Sequence, residues 1–265
     1  MAREVDFAGV ISFIAKRRKA TGGYGATPRL PATIEDTFEV VAISQELAQL
    51  APGLFQAHPP ADDPELHDYL RATAQRTWPG LRTTCQLIQT CFYLGIPIDV
   101  ERARRYSAGH RAEKGDLATA YYAALIDREV SSGKASAVAI RLPPLPARLT
   151  VAELRMHLRL AKLAGTTPAG HDELLAWLRR CQNGDGGFGF FPGTTSFIEN
   201  CHHTLAALQL LGGAPREPEQ ARQFVLSCQT GRGGFGRSLR AAPFLDSTWH
   251  ALACLRLLAT FPWQP

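Results

Sequence analysis

The hydrophobic pattern of this chain switches between two kinds of helix. From His171 to Cys181 (HDELLAWLRRC) and from Glu219 to Cys228 (EQARQFVLSC), apolar residues recur at helical spacing with charges between them, which predicts amphipathic helices with one buried face. Each is followed, after a Gly-rich stretch, by a far more apolar segment rich in Ala, Leu and Cys: Ser196 to Leu211 and Phe244 to Leu258. A helix apolar on most sides belongs inside, so the second of each pair is expected to be the inner one. The same rhythm predicts helices at Pro64 to Arg76 and Gly80 to Leu94, at Val100 to Ser107 and Asp116 to Val130, and at Thr150 to Leu163. Only Ser131 to Leu149 breaks it, because Pro143, Pro144 and Pro146 forbid a regular helix. The expectation is an all-α protein of about five to six helical hairpins.

The hairpins are copies of one unit. Cys181-Gln182 and Cys228-Gln229 stand 47 residues apart, as do Gly186-Gly187-Phe188-Gly189 and Gly233-Gly234-Phe235-Gly236, Glu199 and Asp246, and His203 and His250. A third copy, Gly22-Gly23-Tyr24-Gly25, is followed by Glu35 at the same distance of 12 from its second Gly. Gly-Gly ends the first helix, and the loop aromatic is placed to pin the turn onto the core. Hairpins that each expose an apolar face must stack on neighbours, which gives a solenoid or a closed ring.

Composition narrows the class. The chain has 265 residues, is 45% hydrophobic and 20% charged, and carries a formal charge of +5. Its arginines are scattered, and the longest basic run, Lys16 to Lys19, fits a helix end better than a nucleic-acid contact. No apolar run is long enough to span a membrane, and charges interrupt the apolar residues of the N-terminus, so a cytoplasmic protein without a cleaved signal is expected. The six cysteines form no Cys-x-x-Cys pair and read as reduced thiols.

The repeated Gln, Gly-Gly-Phe-Gly, Pro-containing loop, acid and Leu-rich helix resemble the repeat of the prenyltransferase and squalene-cyclase family. CQNGDGGFG and CQTGRGGFG are most similar to the protein prenyltransferase β subunits, and class II terpene cyclases come next. The resemblance implies one α/α-toroid domain over 1–265, whose inner helices line an apolar lumen for an isoprenoid or prenyl diphosphate. It also implies a possible helical partner subunit.

Aligning the copies puts Glu35, Asp116, Glu199 and Asp246 at one inner-helix position, with Glu153 within one residue. Four residues later stand Glu39, Ala120, His157, His203 and His250, so acid–imidazole pairs on one helix face are expected in three consecutive repeats, at Glu153–His157, Glu199–His203 and Asp246–His250. Capping of the inner helices is the competing role for these acids. From the prenyltransferase resemblance, Glu199 and Cys201 with His250, or with His203 or His202 in its place, are a candidate Zn²⁺ set, with Ser247 where the family has a histidine. Arg237 and Arg240 are candidates for holding a diphosphate. From the cyclase resemblance, Thr33-Ile34-Glu35-Asp36-Thr37 offers Glu35 as a general acid with Asp36 beside it. A non-catalytic toroid that binds a lipid or a partner protein is the third reading.

Overall fold

The computed structural model describes residues 4–55, 62–113, 115–131, 140, 142–145 and 148–261. Its helices are α1 (Phe7–Ala15), α2 (Ile34–Leu50), α3 (Pro52–Phe55), α4 (Pro64–Gln75), α5 (Leu81–Tyr93) and α6 (Val100–Glu113). Then come α7 (Leu117–Val130), α8 (Val151–Leu163), α9 (His171–Arg180), α10 (Ile198–Leu210), α11 (Pro218–Ser227) and α12 (Leu245–Thr260). The sequence-predicted helices all form, with boundaries moved by a residue or two where a cap takes the first position. Thr33, Asp63, Asp116 and Thr150 each accept an N–H of the first turn of the following helix. The helix starting at Val100 runs on to Glu113, six residues past the expected end, and most of the Pro-rich Ser131 to Leu149 lies outside the described residues.

Six helices form the inner layer and pack in a closed circuit: α2 on α5, α5 on α7, α7 on α8, α8 on α10, α10 on α12, and α12 back on α2. The chain is an α/α toroid. The inner helices run the same way, because their early residues meet at one mouth (Glu35, Glu199, Asp246) and late residues pair at the other, as Arg256 does with Glu46. Helices α1, α4, α6, α9 and α11 each precede an inner helix and lie outside it.

The Gly-rich sentence of each copy does more than turn the chain. Gln182 donates to the Glu217 carbonyl and accepts the Glu217 N–H, at the N-cap of α11 (2.9 and 3.0 Å). Gln229 does the same to Asp6, the N-cap of α1 (both 3.0 Å). In the first copy Arg18 holds that place and grips Asp63, the N-cap of α4, through two oxygens (2.6 and 2.7 Å). The first Gly of each pair faces the backbone that starts the next outer helix: a Cβ on Gly186 would overlap the Gln220 carbonyl, and one on Gly233 the Gly9 carbonyl. Both also have φ near +90°, where L side chains are strained. The second Gly makes room for an aromatic ring from that helix: Tyr69, Phe224 or Phe13. One device, written three times, joins repeat to repeat, and its last use closes the ring onto α1.

Candidate functional site

The lumen is built by faces of the inner helices that the apolar pattern does not mark. Along α8 the apolar Val151, Leu154, Leu158 and Leu160 are buried in the layer between helices, while Arg155 and Arg159, one turn apart, face the lumen. Two connected chambers share Phe38, Gln89, Arg155, Arg159 and Trp249 as walls. The chamber toward the amino-terminal mouth has a volume of about 400 Å³ and is lined by Arg82, Gln86, Tyr121, Tyr122, Met156 and His250, among others. The chamber toward the other mouth, about 690 Å³, is more polar, with Gln45, Glu46, Arg128, Glu129 and Arg256. Phe38 and Trp249 meet edge to face between them, ring centroids 5.5 Å apart.

The charges of the lumen are unevenly matched. Arg256 is held by Glu46 (2.5 Å) and Arg128 by Glu129 (2.6 Å). Arg82, Arg155 and Arg159 have no carboxylate partner among the described residues. Burial and the neighbouring Arg128 pull the Arg159 pKa down, as expected for a guanidinium short of counter-charge. Arg155 lies 3.2 Å from His203 Nδ1; because guanidinium only donates, His203 Nδ1 accepts and its proton sits on Nε2. His202 Nδ1 and His250 Nδ1 are 2.6 Å apart, so one of them carries the proton and the other accepts it. Burial first, then Arg155 and the other nearby cations, push both His202 and His203 well below the usual imidazole range and His250 down to about 3. The three imidazoles are therefore neutral.

The expected acid–imidazole pairs do not form. Glu199 is taken by Arg237, which also stacks over Phe197. Asp246 Oδ1 accepts from the N–H and hydroxyl of Ser247 (2.5 and 3.1 Å). Asp116 is an N-cap rather than a lumen acid, and Glu153 completes a capping box with Thr150. His157 is buried, and Glu153 is already engaged by Thr150. The i, i+4 spacing put acid and imidazole on one face, but Glu153 and Asp246 find donors at their own helix starts and Glu199 finds Arg237 from the loop before α12.

Glu199, Cys201 and His250 are not gathered at one point. Cys201 is fully buried and accepts the Phe188 N–H, the same service that Thr37 performs for Tyr24 (3.1 Å) and Thr248 for Phe235 (3.0 Å). Burial raises its thiol pKa, against the thiolate a zinc ligand requires. Glu199 is engaged by Arg237 at the mouth and His250 by His202 in the lumen. No group of three His, Cys, Asp or Glu among the described residues is arranged to hold a metal. The expected zinc set does not fit this geometry. Arg237 is at the amino-terminal mouth, and Arg240 is on an exposed loop beside a shallow surface pocket.

At that mouth Glu35, Asp36, Glu39, Glu199 and Asp246 surround one opening of about 620 Å³. Glu35 is exposed, and Asp36 accepts from the Thr33 hydroxyl (2.6 Å). The residue that stands apart is Glu39, one turn further in. Burial, reinforced by Asp246, Asp36 and Glu35, pushes its pKa up to about 8.

The family model described as the prenyltransferase alpha-alpha toroid domain matches residues 149–216 and again 195–263. Residues 149–263 are thus similar to a prenyltransferase alpha-alpha toroid domain. The two matches overlap across α10 and together take in α8 to α12. No curated protein matches the chain. The toroid's ring of six inner helices extends the architecture back through α7, α5 and α2, and no helix among the described residues is long and apolar enough to cross a membrane.

The arginines of this lumen escaped sequence reasoning for a physical reason. An inner helix of a toroid has two non-solvent faces, one packed and one lining a cavity, and a cavity-lining Arg155 or Arg159 reads like a surface charge. The available signal was position: both fall in the repeat's inner helix, where the solvent-facing reading has no solvent.

Proposed function

We propose that this toroid is an isoprenoid-processing enzyme of the prenyltransferase and terpene-cyclase type, which binds a prenyl diphosphate with its head inside the lumen. The observation that carries this reading is the set Arg82, Arg155 and Arg159: guanidiniums facing a part-aromatic cavity with no carboxylate in ion-pair contact among the described residues. An oxyanion that accepts several guanidinium N–H bonds supplies the missing counter-charge. His203 Nε2–H is a further neutral donor. Phe38, Tyr121, Tyr122, Leu125, Met156 and Trp249 supply the apolar wall for the chain. Calorimetric titration with farnesyl and geranylgeranyl diphosphate tests the assignment. Arg155→Ala with Arg159→Ala is expected to weaken binding by about a hundredfold or more, while binding of the corresponding alcohols changes little. Equal loss of both ligands would mean that the arginines do not hold the diphosphate.

Glu39 favours a protonation-initiated reaction over simple transfer. A carboxylic acid that stays protonated near neutral pH can give its proton to a carbon–carbon double bond, leaving a carboxylate and a carbocation; loss of a proton from a neighbouring carbon ends the sequence. The aromatic faces of Phe38 and Trp249 stabilise such a cation. In this reading the acid is Glu39, in place of Glu35, which is solvent-exposed. Glu39→Gln is expected to abolish cyclic product while leaving diphosphate binding intact, and Glu35→Gln to retain most turnover. The reverse pattern would return the role to Glu35. A toroid that binds its ligand without turnover would show tight binding and no product in either background.

A further inference from the structure

The loops that enter α2, α10 and α12 occupy the same place in their repeats: residues 25–33, 189–197 and 236–244. Their helices are consecutive round the ring, so the loops form one arc at the amino-terminal mouth. The loop entering α12 meets the start of α10, where the Ile198 N–H donates to the Arg237 carbonyl (2.8 Å). Ala26, Thr33, Arg237 and Phe244 border the same opening.

This arc carries five large apolar side chains in water: Leu30 (52% exposed), Phe190 (39%), Phe191 (43%), Leu239 (54%) and Phe244 (48%). Among the described residues two others are comparably exposed, Leu54 on α3 and Tyr93 at the end of α5, both far from these loops. The fold does not need the five. The aromatic that pins each loop to the core is the buried Tyr24, Phe188 or Phe235. Scattered exposed leucines are ordinary, but five large chains on the tips of three adjacent loops form a patch.

The charges of the same loops have one sign. No Asp or Glu occurs in any of the three, and they contain Arg29, Arg237 and Arg240. Arg237 is occupied by Glu199. Arg29 and Arg240 are exposed and have no carboxylate partner among the described residues. The carboxylates of the mouth begin on the first turns of the helices behind the loops, at Glu35, Asp36, Glu199 and Asp246. Exposed Pro28, Pro31, Gly193 and Ala242, all uncharged, stand between the apolar side chains.

We propose that this arc is a docking surface for a lipid bilayer, with Leu30, Phe190, Phe191, Leu239 and Phe244 entering the headgroup–acyl boundary and Arg29 and Arg240 meeting anionic headgroups. Shallow insertion of apolar tips flanked by cations is the physics of monotopic attachment, and it requires no spanning helix. The assignment stands independently of the chemistry in the lumen.

Co-sedimentation of the full chain with vesicles of phosphatidylcholine, alone and mixed with phosphatidylglycerol, tests it. The wild type is expected to bind both and to prefer the anionic mixture. The triple variant Phe191→Ser, Leu239→Ser, Phe244→Ser is expected to lose affinity for both compositions by about a hundredfold. Arg29→Gln with Arg240→Gln is expected to lose only the anionic preference, by about fivefold per arginine. All substituted side chains are exposed, so unchanged circular dichroism and melting temperature verify folding. A wild type that stays in the supernatant with both vesicles overturns the proposal, as does a triple variant that binds like wild type. So does a wild-type dimer, seen by light scattering, that the triple variant dissociates, since the arc is then covered by a second copy.

Discussion

Glu39 is held protonated by burial and by three carboxylates around it, and that arrangement has a cost that depends on pH. Its folded pKa of about 8 lies above the ordinary 4.5, so between those values the folded state binds a proton that the unfolded state releases. Stability contributed by that proton is full below about pH 4.5 and is lost as pH rises toward about 8. Glu39→Gln is therefore expected to melt several degrees above wild type at pH 8.5 and to match it at pH 5, measured by calorimetry; equal melting at both values would mean an ordinary carboxylate. Cys201 gives a second test at this scale. Thr37 and Thr248 do its work in sister copies, so Cys201→Thr is expected to cost under about 1 kcal/mol, whereas Cys201→Ala leaves the Phe188 N–H unpaired and costs about 1–3 kcal/mol. Denaturant melts distinguish them. The sequence marked position 201 as chemical because cysteine and histidine stood together there, and only the sister copies' threonines, read at the same register, disclose a structural role. Glu39 was visible in the repeat alignment, but its burial was not, since that depends on α12 returning beside α2.

At the scale of elements, the legible part was the helices and the hidden part was how they join. Amphipathic spacing located them because the packed faces are apolar, and the caps Thr33, Asp63, Asp116 and Thr150 were polar residues just before those runs. The Gln and Gly-Gly of each loop looked like local turn chemistry, yet their partners lie in the next repeat, 35 residues on for Gln182. Gln229→Ala removes three hydrogen bonds, two of them to Asp6, and is expected to destabilise by roughly 2–4 kcal/mol. Hydrogen exchange should show the loosening in α1, whereas for Gln182→Ala it should appear in α11. Gly233→Ala should be worse than either, because its Cβ meets the Gly9 backbone and its φ is +93°.

For the whole molecule, the repeat count and the resemblance made a ring legible, and the structure adds what the ring encloses. An apolar funnel was the expectation. The lumen instead combines aromatic walls with unmatched guanidiniums, and the mouths differ: carboxylates crowd one, while Arg256–Glu46 and Arg128–Glu129 pairs line the other. This polarity depends on helix direction, which no single repeat reveals. It also predicts a salt-sensitive ligand affinity that falls as ionic strength rises, measurable in the same diphosphate titration.

Closure of the ring through Asp6 and Gln229 also fixes an order of events during synthesis. The α1–α2 hairpin is made well before the helices that seat it: Val10, Phe13 and Val40 precede the seat formed by α11 and α12, which is not complete until about residue 260. Until then an apolar flank of α1 and α2 has nothing to cover it. Contacts separated by more than 200 residues are slow to form, so this protein is expected to depend on chaperones in the nascent state. Chains stalled before α11 should be captured by holdases and released once the last hairpin emerges.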